Sequence, residues 1–259
     1  MFNWFINLNY IYQALIATIF TYLMTALGAG IVFFFKNISK TVMDAMLGFA
    51  AGVMTAASFF SLLSPAIEHC NSLKLTPWII ISIGFFSGGL LLFLSDKIFN
   101  KLLSKKNKRI LMLISSITIH NIPEGLAVGI AFGSVYYGLT GATTISAIML
   151  AIGIGLQNFP EGSAVSIPLR RDGMSTKKAF FYGQLSAIVE PLAGVFGAIL
   201  VLKMTTLLPF FLSFAAGAMI YVVISELIPE SQSNEKKEVM AIFTIIGFSI
   251  MMILDVALG

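Results

Sequence analysis

The stretch His120-Asn-Ile-Pro-Glu-Gly-Leu-Ala-Val128 recurs further along the chain as Gln157-Asn-Phe-Pro-Glu-Gly-Ser-Ala-Val165. The two copies lie in the fourth and fifth apolar runs, and neighbouring membrane helices joined by a short loop run in opposite directions. The copies are therefore expected to be related by inversion across the membrane. A second pair of segments repeats between the second and seventh runs, 49–54 as Phe-Ala-Ala-Gly-Val-Met and 214–219 as Phe-Ala-Ala-Gly-Ala-Met. Inverted repeats are typical of transporters and predict a site near mid-membrane.

The composition around these motifs is that of a membrane protein. Of the 259 residues 58% are hydrophobic and only 11% are charged, and the mean hydropathy is +0.93, which is too apolar for a soluble domain. A bilayer core of roughly 30 Å requires about 20 apolar residues per helix. Eight runs approach this length: 10–35, 42–66, 77–99, 110–136, 141–168, 179–202, 208–228 and 239–258. The sequence therefore predicts an all-α integral membrane protein, a single transmembrane domain over 1–259, with eight transmembrane helices.

Basic residues indicate the orientation, because Lys and Arg beside membrane helices are retained in the cytoplasm. Fourteen of the sixteen lie in or beside the odd-numbered connections, and only Lys74 and Lys203 lie in the even-numbered ones. Both termini are therefore expected outside the cytoplasm, in a multi-pass protein of the cell (inner) membrane. The net charge of +4 is spread over these loops, so the lipid bilayer is an expected partner and nucleic acid is not.

Polar side chains inside the apolar runs mark the candidate site. A charged side chain at membrane depth costs on the order of 3 kcal/mol, so each one needs a partner or a function. The set comprises His120, Asn121, Glu124, Gln157, Asn158, Glu161 and Glu190. The first three share a face of helix 4, the next three repeat their spacing on helix 5, and the last lies on helix 6. Carboxylates with imidazole and amide oxygens suit a borderline divalent cation, and two bridging glutamates favour two ions.

Small residues and neighbours on helix 6 complete this picture. Gly125, Gly129 and Gly133 form a stripe on which another helix can pack closely. Ser186 is expected on the same helical face as Glu190, one turn earlier.

Other interpretations of the same residues stay open. The polar set could form a buried hydrogen-bonded network that binds nothing. Met54 could be either core packing or a soft metal ligand. Asp44 and Asp255 lie near helix ends and could be solvated.

The paired motifs His-Asn-Ile-Pro-Glu-Gly and Gln-Asn-Phe-Pro-Glu-Gly resemble those of the ZIP family of metal transporters, specifically its GufA-like bacterial branch. The resemblance covers all eight predicted helices and implies uptake of divalent metal ions, zinc first and then iron, manganese or cadmium. It implies one metal position built from His120, Glu124, Gln157 and Glu161, with Met54 close by. It implies a second position built from Asn121, Glu124, Asn158, Glu161 and Glu190, with Glu124 and Glu161 bridging the two ions.

The resemblance also implies a transport pathway. It places Ser61 and Glu68 on the outer entrance route and Glu226 near the cytoplasmic release route. Gln157 and Asn158 depart from relatives that carry His and Asp there, so the preferred ion is left open. No cofactor is expected, since the bound metal is the substrate, and the sequence leaves open whether the chain forms a homodimer.

Two competing functions belong to other classes. An intramembrane zinc metalloprotease would bury His and Glu around zinc, but it would carry a His-Glu-x-x-His helix, which the sequence lacks. A proton-coupled carrier of another substrate would share the inverted repeats and the carboxylates. Such a carrier would not need His, Gln and Glu at metal-ligand spacing, so metal transport is the favoured function.

Overall fold

The computed structural model describes residues 3–35, 39–102, 108–139, 142–171, 173–203 and 205–258, and within these ranges the chain is helical with no strand. Gly141, the predicted start of the fifth run, and the basic residues Lys36, Lys105 and Lys106 lie outside the described residues. Eight long helical segments follow one another: α1 Tyr10–Gly30, α2 Lys40–Ser72, α3 Pro77–Leu102, α4 Lys108–Tyr136, α5 Thr144–Arg171, α6 Thr176–Leu185 with Val189–Lys203, α7 Leu208–Ser231 and α8 Lys237–Leu258. Short helical turns precede α1, at Asn3–Ile6, and α7, at Thr205–Leu207.

Six of these segments, among the residues that the structure describes, are long and apolar enough to cross a membrane: Tyr10–Phe33, Lys40–Ser72, Pro77–Ile98, Thr176–Val201, Leu208–Ser231 and Lys237–Ala257. The prediction of an all-α, multi-pass membrane protein is therefore confirmed. The six do not include α4 and α5, the helices that carry the repeated motif. In α5 the side chains of Gln157, Asn158 and Glu161 interrupt the apolar run. The count of eight spans stays a prediction.

The burial of the segments varies in matched pairs. In both α2 and α7, 61% of the residues in the most apolar window are buried, whereas in both α3 and α8 the share is 17%. The values for α1 and α6 are 39% and 44%. Segments α2 and α7 therefore lie inside the bundle, and α3 and α8 lie at its periphery.

Helix packing follows the same pairing. Segment α4 packs along the second half of α6, and α5 packs along α1 in the matching arrangement. Likewise, α2 packs on α8, and α7 packs on α3. Glycines allow close contact between α2 and α8 and between α7 and α3. A Cβ added at Gly52 of α2 would overlap the carbonyl of Thr244, and one added at Gly217 of α7 would overlap the carbonyl of Phe85. These glycines occupy matching positions in the repeated Phe-Ala-Ala-Gly segments.

Two π-helical turns interrupt α2 and α7 at matching places. The first spans Ser58–Leu63 and the second spans Val223–Leu227. Each begins at the same distance after the Phe of its repeated segment, Phe49 in α2 and Phe214 in α7. Such turns occur frequently at functional sites, and these two contain Ser61 and Glu226, which the sequence analysis assigned to the transport pathway.

Segment α6 is not the continuous helix that the sequence predicted. A turn at 186–188 separates its two halves. Pro191 explains the break, because it lies in the first turn of the second half, where its missing N–H is tolerated, whereas inside a continuous helix its ring would clash with the carbonyl one turn back. Ser186, which was expected one turn before Glu190 on the same helical face, lies in this turn, and both side chains are buried.

Candidate metal centre

The two copies of the repeated motif face each other through their glutamate and glutamine side chains. Nε2 of Gln157 on α5 donates a hydrogen bond of 2.7 Å to Oε1 of Glu124 on α4. Both side chains are completely buried. The structure thus brings together two of the residues predicted to share a metal position.

Glu190 of α6 is held by hydrogen bonds from two other helices. Nδ2 of Asn158 donates to its two carboxylate oxygens, at 2.9 and 3.0 Å. The hydroxyl of Thr21 on α1 donates to the same carboxylate, at Oε2. Asn158 and Glu190, both predicted for the second metal position, are therefore in direct contact.

Thr21 is a member of the cluster that the sequence analysis did not find. Three threonines of α1, Thr18, Thr21 and Thr25, are buried, and their spacing of three and four residues places them on one face of the helix. A buried polar stripe in an apolar helix is a signal that could have indicated contact with the site. Nothing in the sequence indicates directly that the contact is with Glu190, because the two residues are far apart in the chain.

Close packing of α4 against α6 sets the position of Glu190. A Cβ added at Gly125 would overlap the backbone carbonyl of Glu190, and one added at Gly129 would overlap that of Gly194. The predicted glycine stripe is therefore confirmed as a close helix contact, and its partner is α6. Nδ2 of Asn121 also donates a 3.0 Å hydrogen bond to the carbonyl of Ser186, at the break in α6.

Several buried oxygens of the cluster have no hydrogen-bond partner within the described part of the chain. They are Oδ1 of Asn121, Oε2 of Glu124, Oε1 of Gln157, Oδ1 of Asn158 and Oε1 of Glu161. A buried polar atom without a partner costs free energy on the order of 1 to 3 kcal/mol. These five oxygens therefore need partners, and carboxylate and amide oxygens bind divalent cations.

Three carboxyl groups are concentrated in the cluster. The carboxylate of Glu124 lies within electrostatic range of those of Glu161 and Glu190. Like charges at low dielectric repel each other, and a cation between them removes the repulsion. Among the side chains that the structure describes, no group of three or more His, Cys, Asp and Glu is arranged to hold a metal ion, so the amide oxygens are needed to complete a ligand set.

Two other predicted ligands have different outcomes. His120 belongs to α4, but its side chain lies outside the described part of the structure. Met54 of α2 is fully buried within the main apolar core, with 1% of its surface exposed.

The predicted entrance residues line one cavity. It has a volume of about 240 Å³, and Ser61, Glu68, Ser134 and Asp255 are among its lining residues. The hydroxyl of Ser61 lies 2.8 Å from both carboxylate oxygens of Asp255 on α8. Asp255, which the sequence analysis left as a possible solvated residue, is therefore a cavity residue, and an acid within an apolar span is a signal that could have indicated this.

The predicted release residue lies near the cluster. Glu226 of α7 is half-buried and lies within electrostatic range of Glu161. One turn before it, the hydroxyl of Tyr221 donates a 2.9 Å hydrogen bond to Asp96 of α3.

Asp44, which the sequence analysis left as a possible solvated residue, is buried with 1% of its surface exposed. Its carboxylate accepts hydrogen bonds from Lys40 at 2.7 Å and from Asn234 at 2.8 Å. The hydroxyl of Ser231 donates to its backbone carbonyl at 2.8 Å. Asp44 therefore joins the start of α2 to the end of α7, which explains its burial near a helix end.

Comparison with known proteins adds to these observations. The family model described as ZIP zinc transporter matches residues 100–255. Zinc transporter ZIP11 from Homo sapiens is 38% identical to this chain, and the match covers 96% of the chain and 98% of that protein. Zinc transporter GufA from Myxococcus xanthus is 30% identical over 95% of the chain and 98% of its own length. Zinc transporter ZupT from Streptococcus mutans is 32% identical, and the match covers 96% of the chain and 98% of that protein.

Proposed function

The chain belongs to the ZIP family of zinc transporters, and from this premise we propose that it transports divalent metal cations, zinc first, into the cytoplasm. The observation that carries the proposal is the group of buried, unpartnered oxygens on α4 and α5. Five such atoms converge beside three mutually repelling carboxylates, and a divalent cation would satisfy both the oxygens and the charge. Iron, manganese and cadmium are further substrates that this donor set could accept.

The proposed centre holds two ions. One position uses His120, Glu124, Gln157 and Glu161, with Met54 nearby. The second uses Asn121, Glu124, Asn158, Glu161 and Glu190. In support of this arrangement, Glu124 and Glu161 each have one oxygen without a described partner, as bridging ligands between two ions would require.

The proposed topology has eight membrane-spanning segments, with both termini outside the cytoplasm. The matched burial and packing of α1 to α3 with α6 to α8 support an inverted repeat of these two sets. In such repeats the substrate site lies where the two sets meet, and here that place is occupied by α4 and α5.

The proposed route passes from the cavity with Ser61, Glu68 and Asp255, through the metal centre, to Glu226. Acidic residues at both stages would attract a cation and replace part of its hydration shell. Alternating exposure of the centre, by movement of one helix set against the other, is the expected mechanism for inverted repeats.

Membership of a transporter family sets aside the metalloprotease and leaves no catalytic residue to assign. A carrier of another substrate is also disfavoured, because the five unpartnered atoms of the cluster are acceptor oxygens, which suit a cation rather than an organic anion.

Transport can be tested with the purified chain in proteoliposomes that contain a zinc-sensitive dye. We expect zinc to enter in a saturable manner, with iron, manganese and cadmium competing to different degrees. The matched control is Glu161→Gln, which keeps the shape of the side chain but removes its charge. Zinc entry that is equal in Glu161→Gln, in wild type and in empty vesicles would contradict the proposal.

Orientation can be tested separately by labelling in intact cells. In a Cys70→Ser background, a cysteine at the exposed position Lys74 should react with an impermeant thiol reagent, whereas one at the exposed position Lys177 should not. Reaction at Lys177 and protection at Lys74 would reverse the topology. The mass of the purified protein in detergent, measured in the same preparation, distinguishes a monomer from a homodimer.

A further inference from the structure

Thr21 of α1 contacts the carboxylate cluster although it lies outside the repeated motif. We infer that Thr21 is a positioning residue for Glu190 and thereby sets the affinity of the second metal position. The inference rests on the proposed two-ion centre and adds to it a helix, α1, to which neither the motif nor the ligand set assigned a role.

Thr21 contacts both residues that would complete the second position. Its hydroxyl donates to Oε2 of Glu190, and its backbone carbonyl accepts from Nδ2 of Asn158 at 3.3 Å. The same Nδ2 atom donates to both oxygens of Glu190. The three residues therefore form a closed hydrogen-bonded ring, and it is completely buried.

This ring orients Asn158 as a ligand. Its amide nitrogen is engaged by Glu190 and Thr21, and its amide oxygen has no partner within the described residues. The nitrogen and oxygen of an amide are bonded to the same carbon and point in different directions from it. Holding the nitrogen on the side of α1 therefore directs the oxygen away from α1, so that it is free to bind an ion.

Thr21 can also release Glu190 without leaving a buried donor unpaired. Its hydroxyl lies 3.0 Å from the backbone carbonyl of Thr18, one turn earlier in α1. When an ion draws the carboxylate away, the hydroxyl can donate to that carbonyl instead. This second acceptor avoids the cost of an unsatisfied buried group, so the contact orients Glu190 and still permits exchange.

Neighbouring threonines provide the matched control. Thr18 is also completely buried in α1, but its hydroxyl donates to carbonyls of its own helix, at Ala14 (2.7 Å) and Leu15 (3.2 Å). Replacing Thr18 by Val removes a buried hydroxyl from the same helix without touching Glu190. Loss of a partner that orients a metal ligand typically lowers metal affinity by about 10 to 100-fold.

The experiment is a zinc titration of the full chain in detergent, measured by calorimetry so that two binding events are resolved. Wild type and Thr18→Val should bind two ions alike. Thr21→Val should weaken one binding event by about 10-fold or more and leave the other unchanged. Thr21→Ser keeps the hydroxyl, so it should keep the wild-type affinity of both binding events. If Thr21→Val does not fold, Thr21→Ala makes the same comparison without a branched side chain.

The possible results distinguish the positioning role of Thr21 from the two-ion centre on which that role depends. Wild-type affinity for both ions in Thr21→Val, equal weakening of both events, or weakened binding in Thr21→Ser would each overturn the positioning role. A wild-type chain that binds fewer than two zinc ions would instead overturn the two-ion centre on which the role depends.

Discussion

Glu190 and Glu161 are both buried carboxylates of one cluster, yet their surroundings differ. Glu190 on α6 receives hydrogen bonds on both oxygens, from Asn158 and Thr21. Glu161 on α5 has an oxygen with no partner in the described part of the chain, and so does Glu124 on α4. The duplicated helices therefore present free ligand oxygens, whereas the flanking helices α1 and α6 hold their carboxylate in place.

This difference predicts unequal roles within one site. A carboxylate with a free oxygen can bind an ion without losing a hydrogen bond, whereas Glu190 must exchange hydrogen bonds for the ion. The variants and conditions below test that distinction, beginning with the largest expected effect.

Glu124→Ala and Glu161→Ala should each abolish zinc uptake, to about 1% of wild type or less. Each removes a ligand that serves both proposed ion positions and leaves the remaining ligands and ions undercompensated at low dielectric. Initial uptake rates in proteoliposomes measure the loss. Glu235→Ala, at an exposed position, is the control. Near-normal uptake with either cluster variant would show that the bridging assignment is wrong.

Glu190→Ala should retain measurable uptake, at roughly a tenth of the wild-type rate, because it removes a ligand from one position only. The same assay, run alongside Glu161→Ala, gives the comparison directly. Equal and complete loss in both variants would show that Glu190 and the duplicated glutamates act as one unit, and the distinction between them would not hold.

Acid should weaken zinc binding in wild type. Carboxylates and imidazole bind a metal only in their deprotonated forms, so protons compete with the ion and apparent affinity should fall between about pH 7.5 and about pH 5.5. Calorimetry in two buffers of different ionisation enthalpy counts the protons released. We expect fewer released protons in Glu190→Gln than in wild type. Binding that is independent of pH would exclude such competition.

Asp255→Asn should have the smallest effect, raising the zinc concentration for half-maximal uptake by about 3-fold with little change in maximal rate. Asp255 lines the cavity that contains Ser61 and accepts a hydrogen bond from that residue, so on the proposed route it would concentrate the ion before it reaches the centre. High ionic strength should reduce the effect, because it screens exposed charge. A large fall in maximal rate would place Asp255 in the centre itself.

Local spacing was enough to predict much of this molecule from its sequence. The repeated motif placed Glu124 on one face of α4 and Gln157 on one face of α5, because residues one turn apart in each copy share a helix face, and the family resemblance implied that the two residues share a metal position. The glycine stripe beginning at Gly125 predicted a close helix contact for the same reason. In each case the relevant distance along the chain is a few residues.

The features that the sequence did not reveal depend on contacts between distant segments. Thr21 meets Glu190 only because α1 and α6 pack together, and Asp44 is buried only because the end of α7 reaches the start of α2. The break before Pro191 depends both on local sequence and on a contact with a distant segment. Its proline was visible in the sequence, but the Asn121 side chain that donates to the carbonyl of Ser186 comes from another helix.

The two π-helical turns bear on the history of the chain. A π turn contains an extra residue relative to an α-helical turn, so insertion of a single residue into an α-helix is sufficient to produce one. The turns in α2 and α7 stand at the same distance from their repeated segments. One insertion inherited by both halves accounts for this with fewer events than two insertions at matching sites. On that account the insertion is older than the duplication, and a half-length ancestor, pairing with an inverted copy of itself, already carried it.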